Sequence, residues 1–213
     1  MTTPVRLLAN DRLTAAALAL VAGGAWLATT LSSGHMMVGV ATWVAMWTVM
    51  MVAMMLPSAA PLMLLYGRGA SASDTTLLVI GYLAVWAATG LPAYFASEWM
   101  PMSGAPFVLA VAGLYQFTPA KQACLAKCRT PMDFLMSHWG RSALRLGVEH
   151  GLWCLGCCWT LMAVLVLVGM MGMGWVVGLA LVVAMEKLMS RGVLVSRLTG
   201  ATLLVLAIIQ GVR

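Results

Sequence analysis

Residues 151–171 read GLWCLGCCWTLMAVLVLVGMM, and no Asp, Glu, Lys or Arg interrupts them. An apolar run of about 20 residues is the length that crosses a bilayer as a helix. The same run carries Cys154, Cys157 and Cys158, and Glu149 and His150 stand immediately before it. One stretch therefore sets the fold class and holds much of the chain's reactive chemistry.

Working outward, the rest of the chain repeats the pattern. Hydrophobic residues make up 62% of 213 positions and charged residues 8%, where a soluble domain carries about 25% charge. Further apolar segments lie at 13–31, 38–61, 75–96, 104–118, 175–189 and 198–211. Barrel strands would alternate apolar and polar residues in runs of about ten, and these runs are continuous. The expected architecture is all-α: one integral membrane domain over residues 1–213, a polytopic helix bundle of seven spans. Six is the alternative, because the fourth, sixth and seventh segments are short. The first segment reads as a retained span, since it outlasts a signal-peptide core and Arg12 stands just before it.

Charge placement orients the bundle. Arg6, Arg12, Arg68, Lys121, Lys127, Arg129, Arg141, Arg145, Lys187, Arg191 and Arg197 all fall on one side of the alternating segments, with only Arg213 on the other. The positive-inside rule makes that side cytoplasmic, with the N-terminus in and the C-terminus out. The net charge of +6 lies between the apolar runs, so it reads as topology, and no nucleic-acid partner is expected. The long connection 119–146 is then a cytoplasmic loop. A short helix starting at Thr130-Pro131 and carrying Met132, Phe134, Leu135, Met136 and Trp139 is expected in the headgroup region. Gly147/Gly151 and Gly174/Gly178 have the small-residue spacing that lets membrane helices approach closely.

Chemistry concentrates in the cysteines. Cys124 and Cys128 form a C-x3-C pair after segment four, and Cys154, Cys157 and Cys158 form C-x2-C-C at the opening of segment five. Both groups are expected at the cytoplasmic face, where thiols stay reduced and metal or redox roles are favoured over structural disulfides. Residues three and four apart share a helix face, so Cys154 aligns with Cys157 and Cys158, and His150 joins that stripe. Brought together, the two groups would offer several thiolates and an imidazole, a donor set that selects Cu(I), Zn(II) or an iron–sulfur centre. A single cysteine in such a helix also serves as a small buried hydrophobe.

Methionine adds to the soft donors. Met46, Met50 and Met54 recur at four-residue spacing beside Trp43 and Trp47, and such a ladder suits a Cu(I) path as well as adaptable packing. Pro57 and Pro61 are expected to break or kink that helix. Glu186-Lys187 reads as an adjacent ion pair at the interface, and Glu149 as a partner that orients His150 or pairs with Arg145. His35 with Met36 and Met37 offers a soft-metal contact in the outer loop. No catalytic constellation, ATP-binding motif or intramembrane Asp relay is present, so an enzyme is not the leading reading.

Three functions are compatible with these residues. The first is a membrane protein that binds a soft metal, copper above zinc, for transport or delivery, with a metal chaperone or membrane complex as partner besides the lipid bilayer. The second is a membrane thiol–disulfide oxidoreductase cycling Cys154 and Cys157, whose position at a helix start would lower a thiol pKa. The third is a structural subunit with inert cysteines.

Several motifs occur together: Met46-Trp47-x2-Met50-x2-Ala53-Met54-Met55-x-Pro57, Gly113-Leu114-Tyr115-Gln116-x-Thr118-Pro119-x-Lys121-x2-Cys124-Leu125-x2-Cys128-Arg129, Gly147-x3-Gly151-x2-Cys154-x-Gly156-Cys157-Cys158-Trp159-x-Leu161-Met162, and Glu186-Lys187. Over about residues 38–191 this set resembles the bacterial predicted metal-binding integral membrane proteins grouped as domain-of-unknown-function family 2182. The resemblance implies a multi-pass protein of the bacterial inner membrane with a metal site.

Overall fold

A computed structural model describes residues 4–32, 39–138, 140–168 and 172–212. His35, Met36, Met37, Trp139 and Arg213 lie outside the described residues. Within them the chain is helical, without strands: α1 (Pro4–Ser32), α2 (Val40–Gly67), α3 (Ala72–Ala88), α4 (Gly90–Trp99), α5 (Ala105–Tyr115), α6 (Pro119–Arg129), α7 (Pro131–Ser137), α8 (Ala143–Val168), α9 (Met173–Leu188) and α10 (Gly192–Gly211). Five stretches are long and apolar enough to cross a membrane: Arg12–Leu31, Val40–Gly67, Ala72–Trp99, Ala143–Leu167 and Gly192–Gly211. The fourth and sixth apolar segments form the shorter α5 and α9, of 11 and 16 residues.

Local sequence explains the helix starts nearest the site. Ser71 accepts a hydrogen bond from the Asp74 N–H at 3.1 Å and opens α3. Thr118 does the same for the Lys121 N–H at 3.2 Å, with Pro119 at the first helical position of α6. Arg129, in the last turn of α6, donates to the Met189 and Ser190 carbonyls at 2.7 and 2.8 Å. That ties α6 to the end of α9, whose terminal carbonyls lack helical partners.

Four expectations need correction. The 119–146 connection holds two helices, and its first, α6, carries the C-x3-C pair. In α7, Phe134 is fully buried and packs edge-on to the His150 ring, so this helix is part of the interior as well as the surface. Pro57 and Pro61 lie inside an unbroken α2. Most consequential, α8 begins at Ala143, eight residues before the apolar run. Arg141 and Arg145 both bond Glu149, the latter at 3.0 Å, so a salt-bridged polar turn extends the helix. Cys154 is therefore mid-helix, about 17 Å from the helix start at 1.5 Å per residue, and a helix N-terminus does not activate it.

The core is organised around α8. Against α3 the two backbones touch: a Cβ on Gly147 would collide with the Leu78 carbonyl, and one on Gly81 with the Leu144 carbonyl. The Gly147/Gly151 reading is thus realised, with α3 as the partner. The Gly174/Gly178 reading is not, since among the described residues nothing stands within 4 Å of a Cβ at either position.

Candidate metal centre

Two helices, α6 and α8, bring sulfur together. On α6, Lys121, Cys124 and Cys128 follow the i, i+3, i+7 spacing of one helix face, and that face lies against α8. Cys124 packs so closely that a Cβ on Gly156 would stand 2.8 Å from its Sγ. One turn on, Cys128 Sγ is 3.9 Å from Cys157 Sγ. Metal–thiolate bonds of about 2.3 Å put two ligating sulfurs roughly 3.8 to 4.6 Å apart, from tetrahedral to linear coordination. This pair already has such a separation, and the two thiols come from different elements.

The other thiols are oriented differently. Cys157 and Cys158 both donate to the Cys154 carbonyl, at 3.1 and 3.0 Å. Cys154 Sγ meets Lys187 Nζ of α9 at 2.9 Å and the Tyr82 hydroxyl of α3 at 3.1 Å, and it also lies within hydrogen-bonding reach of Cys128 on α6. Tyr82 also donates to the Met55 carbonyl at 3.3 Å, and Lys187 donates to Ser58 Oγ at 3.2 Å. His150 is buried between the Tyr82 and Phe134 rings, and its Nδ1 has no hydrogen-bond partner. Among the described residues, no three or more His, Cys, Asp or Glu side chains surround one point as a metal site. The structure gathers a sulfur pair with further soft donors around it.

The charged residues depart from expectation. Glu186 and Lys187 do not pair with each other, because neighbours on a helix point about 100° apart. Glu186 Oε2 instead bonds Lys121 Nζ at 2.7 Å, with side-chain exposures of 1% and 0%. Lys121 also donates to the Cys157 carbonyl. Lys121 thus belongs to the interior and is no loop marker. Glu149 pairs with Arg145, as one of the two alternatives had it, and with Arg141, and it lies 3.5 Å from His138; it does not orient His150.

The α6 thiols are held in their protonated form. Cys128 is pushed well above the ordinary thiol range by hydrogen bonding to Cys154 and Cys157, with burial adding to it. Burial raises Cys124, and the nearby Cys157 raises it further.

Sequence reasoning missed Tyr82, Ser58 and the interior role of Lys121. The signal for Lys121 was present, since it shares the cysteine face of α6. For Tyr82 the sequence shows only a hydroxyl inside an apolar run.

The methionines extend from the same place. Met50 and Met54 are buried in α2 and Met46 is half-buried. They climb away from the Met55–Ser58 turn in steps of about 6 Å.

A family model described as PpoB2, copper chaperone, matches residues 44–210, most of the chain. The chain belongs to this copper chaperone family. The match covers the methionine helix, both cysteine groups and Glu186-Lys187. The copper chaperone family is not the family 2182 that the motifs resemble, and the link to metal is common to both. No curated protein and no solved structure matches the chain.

Proposed function

We propose that the protein is a multi-pass membrane copper(I) chaperone that holds the ion between Cys128 and Cys157. The observation that carries this reading is the 3.9 Å sulfur pair formed by α6 and α8 in a chain of the copper chaperone family. The donor chemistry fits the cargo: thiolate and thioether select Cu(I), and a monovalent d10 ion is satisfied by few donors, whereas structural zinc takes four. Cys124, Cys158 and His150 line the surroundings, and Met54, Met50 and Met46 form the path by which the ion reaches or leaves the pair.

Membrane insertion rests on an inverted distribution of polarity. Trp99 and Phe107 are 84% and 72% exposed, and Leu20, Leu198 and Ile208 are exposed as well, while Lys121, Gln116, Glu186 and Ser196 are buried. Lipid covers such a surface at no cost, and water does not. We place the seven apolar segments across a bacterial inner membrane, with the basic loops in the cytoplasm and a partner protein exchanging copper there. A reporter fused at the C-terminus should be active only on the outer side; activity in the cytoplasm overturns the seven-span arrangement.

Copper content decides the main reading. Protein purified anaerobically and loaded with Cu(I) should retain stoichiometric copper, and Cys128→Ser with Cys157→Ser should lose it. Retention of copper by that double variant would refute the assignment of the pair.

A further inference from the structure

Lys187 is buried, 6% exposed, and among the described residues its hydrogen-bond partners are Ser58 Oγ and Cys154 Sγ. The carboxylate next to it in sequence is turned to Lys121. A buried cation without a carboxylate is expensive, so its presence here needs a reason. The groups around it are Ser58 from α2, Tyr82 from α3, His150, Cys154, Cys157 and Cys158 from α8, and, without a hydrogen bond to it, the Glu186 carboxylate beside it on α9. Its Nζ sits 2.9 Å from the Cys154 sulfur, which is itself within hydrogen-bonding reach of Cys128.

We infer that Lys187 is a specificity-determining residue that keeps the Cys154 sulfur out of the metal's coordination sphere, so that the centre offers two sulfurs to a monovalent soft ion and too few to zinc. The inference rests on the copper reading given above. The geometry is that of an occupied ligand: the Cys154 sulfur already receives the ammonium at 2.9 Å and contacts the Tyr82 hydroxyl at 3.1 Å. A metal cation approaching that sulfur would meet a fixed positive charge at contact distance, and like charges in a low-dielectric interior repel strongly. Cys157 lies one turn on, donates to the Cys154 carbonyl on its own helix, and stands 3.9 Å from Cys128 Sγ of α6. Lys187 thus separates two thiols that helical spacing alone would make equivalent ligands. A site held at low coordination number also releases its ion readily to a partner with more donors, which suits a chaperone. Selectivity of this kind comes from a repulsive element as much as from an attractive one.

The test is X-ray absorption on the Cu(I)-loaded full chain, paired with Cu(I) and Zn(II) competition titrations. Wild type should show about two sulfur neighbours per copper. Lys187→Met should gain about one more and lower the Cu(I)-over-Zn(II) affinity ratio by at least about tenfold. Adding Cys154→Ser to that variant should remove the extra sulfur, and Lys187→Arg should behave as wild type. Three sulfurs on copper in the wild type overturn the inference even if Lys187→Met does not fold. A Lys187→Met variant with unchanged sulfur number and unchanged metal ratio overturns it while leaving the copper reading intact. A wild type that takes up no Cu(I) overturns both.

Discussion

The interior around α8 holds two buried lysines in two kinds of surroundings. On the α6 side, Lys121 is matched by the Glu186 carboxylate and by a backbone carbonyl. On the α2 and α3 side, Lys187 is matched by a thiol, a hydroxyl and no carboxylate among the described residues. The difference lies in what is stranded when one member of each contact is lost: loss of Glu186 strands Lys121, and loss of Lys187 strands the Cys154 thiol. A stranded lysine must give up a proton at about 3 units below its ordinary pKa of about 10.4, whereas a stranded thiol, with an ordinary pKa of about 8.5, is already neutral at pH 7. The first pocket is a structural clamp. The second is adjustable, as the proposed loading and unloading of copper would require.

That contrast can be broken at its strong end first. Glu186→Leu should destabilise the protein by about 3–5 kcal/mol, as expected when one member of a buried ion pair is lost, read as loss of the folded fraction on heating in detergent. A milder effect would mean that Lys121 finds water or another partner. Next in size is pH. Cys128 and Cys124 are protonated well into the alkaline range, and a ligating thiol must release its proton. Copper(I) affinity should therefore rise as pH rises, by about 1.4 kcal/mol per pH unit for each proton displaced, and keep rising above the ordinary thiol range. A flat profile between pH 6 and about 9 would remove the α6 thiols from the ligand set. Tyr82→Phe deletes the hydroxyl shared by Met55 and Cys154 and should cost about 1 kcal/mol, measured by the same unfolding assay. Smallest of all, metal-free Lys187→Met should unfold within about 0.5 kcal/mol of wild type, since an apolar chain replaces a cation and the partners left behind, a thiol and a hydroxyl, carry no charge. If it unfolds as readily as Glu186→Leu, the two pockets are alike and the comparison fails.

Much of this was legible in the sequence, and the remainder was hidden for definite reasons. Apolar runs without charges announced the helices, and the i, i+3, i+4 spacing announced that Cys154, Cys157 and Cys158 share a stripe. What spacing does not show is which neighbour each member of a stripe meets, so Cys154 and Cys157 read as one pair although Lys187 of α9 holds only the first at contact distance. The start of α8 was hidden because Arg141, Arg145 and Glu149 look like loop residues until their salt bridges are seen. Lys121 was counted with the loop cations because its sign suits the positive-inside rule, although its register with Cys124 and Cys128 already placed it on the packed face. The pairing of Glu186 with Lys187 failed on helix geometry alone, without any coordinates.

The glycine seam between α3 and α8 limits how the chain length can vary. Where Gly81 and Gly147 let the two backbones touch, the rotation of α8 about its own axis is set by main-chain contact, and Cys154 follows two turns later. One residue inserted between Gly147 and Cys154 would swing the thiol about 100° around the helix, away from Tyr82 and Lys187. Insertions of seven residues, close to two whole turns, would restore its direction but move it about 10 Å along the axis. The spacing from Gly147 to Cys154 is therefore a ruler that tolerates neither lengthening nor shortening.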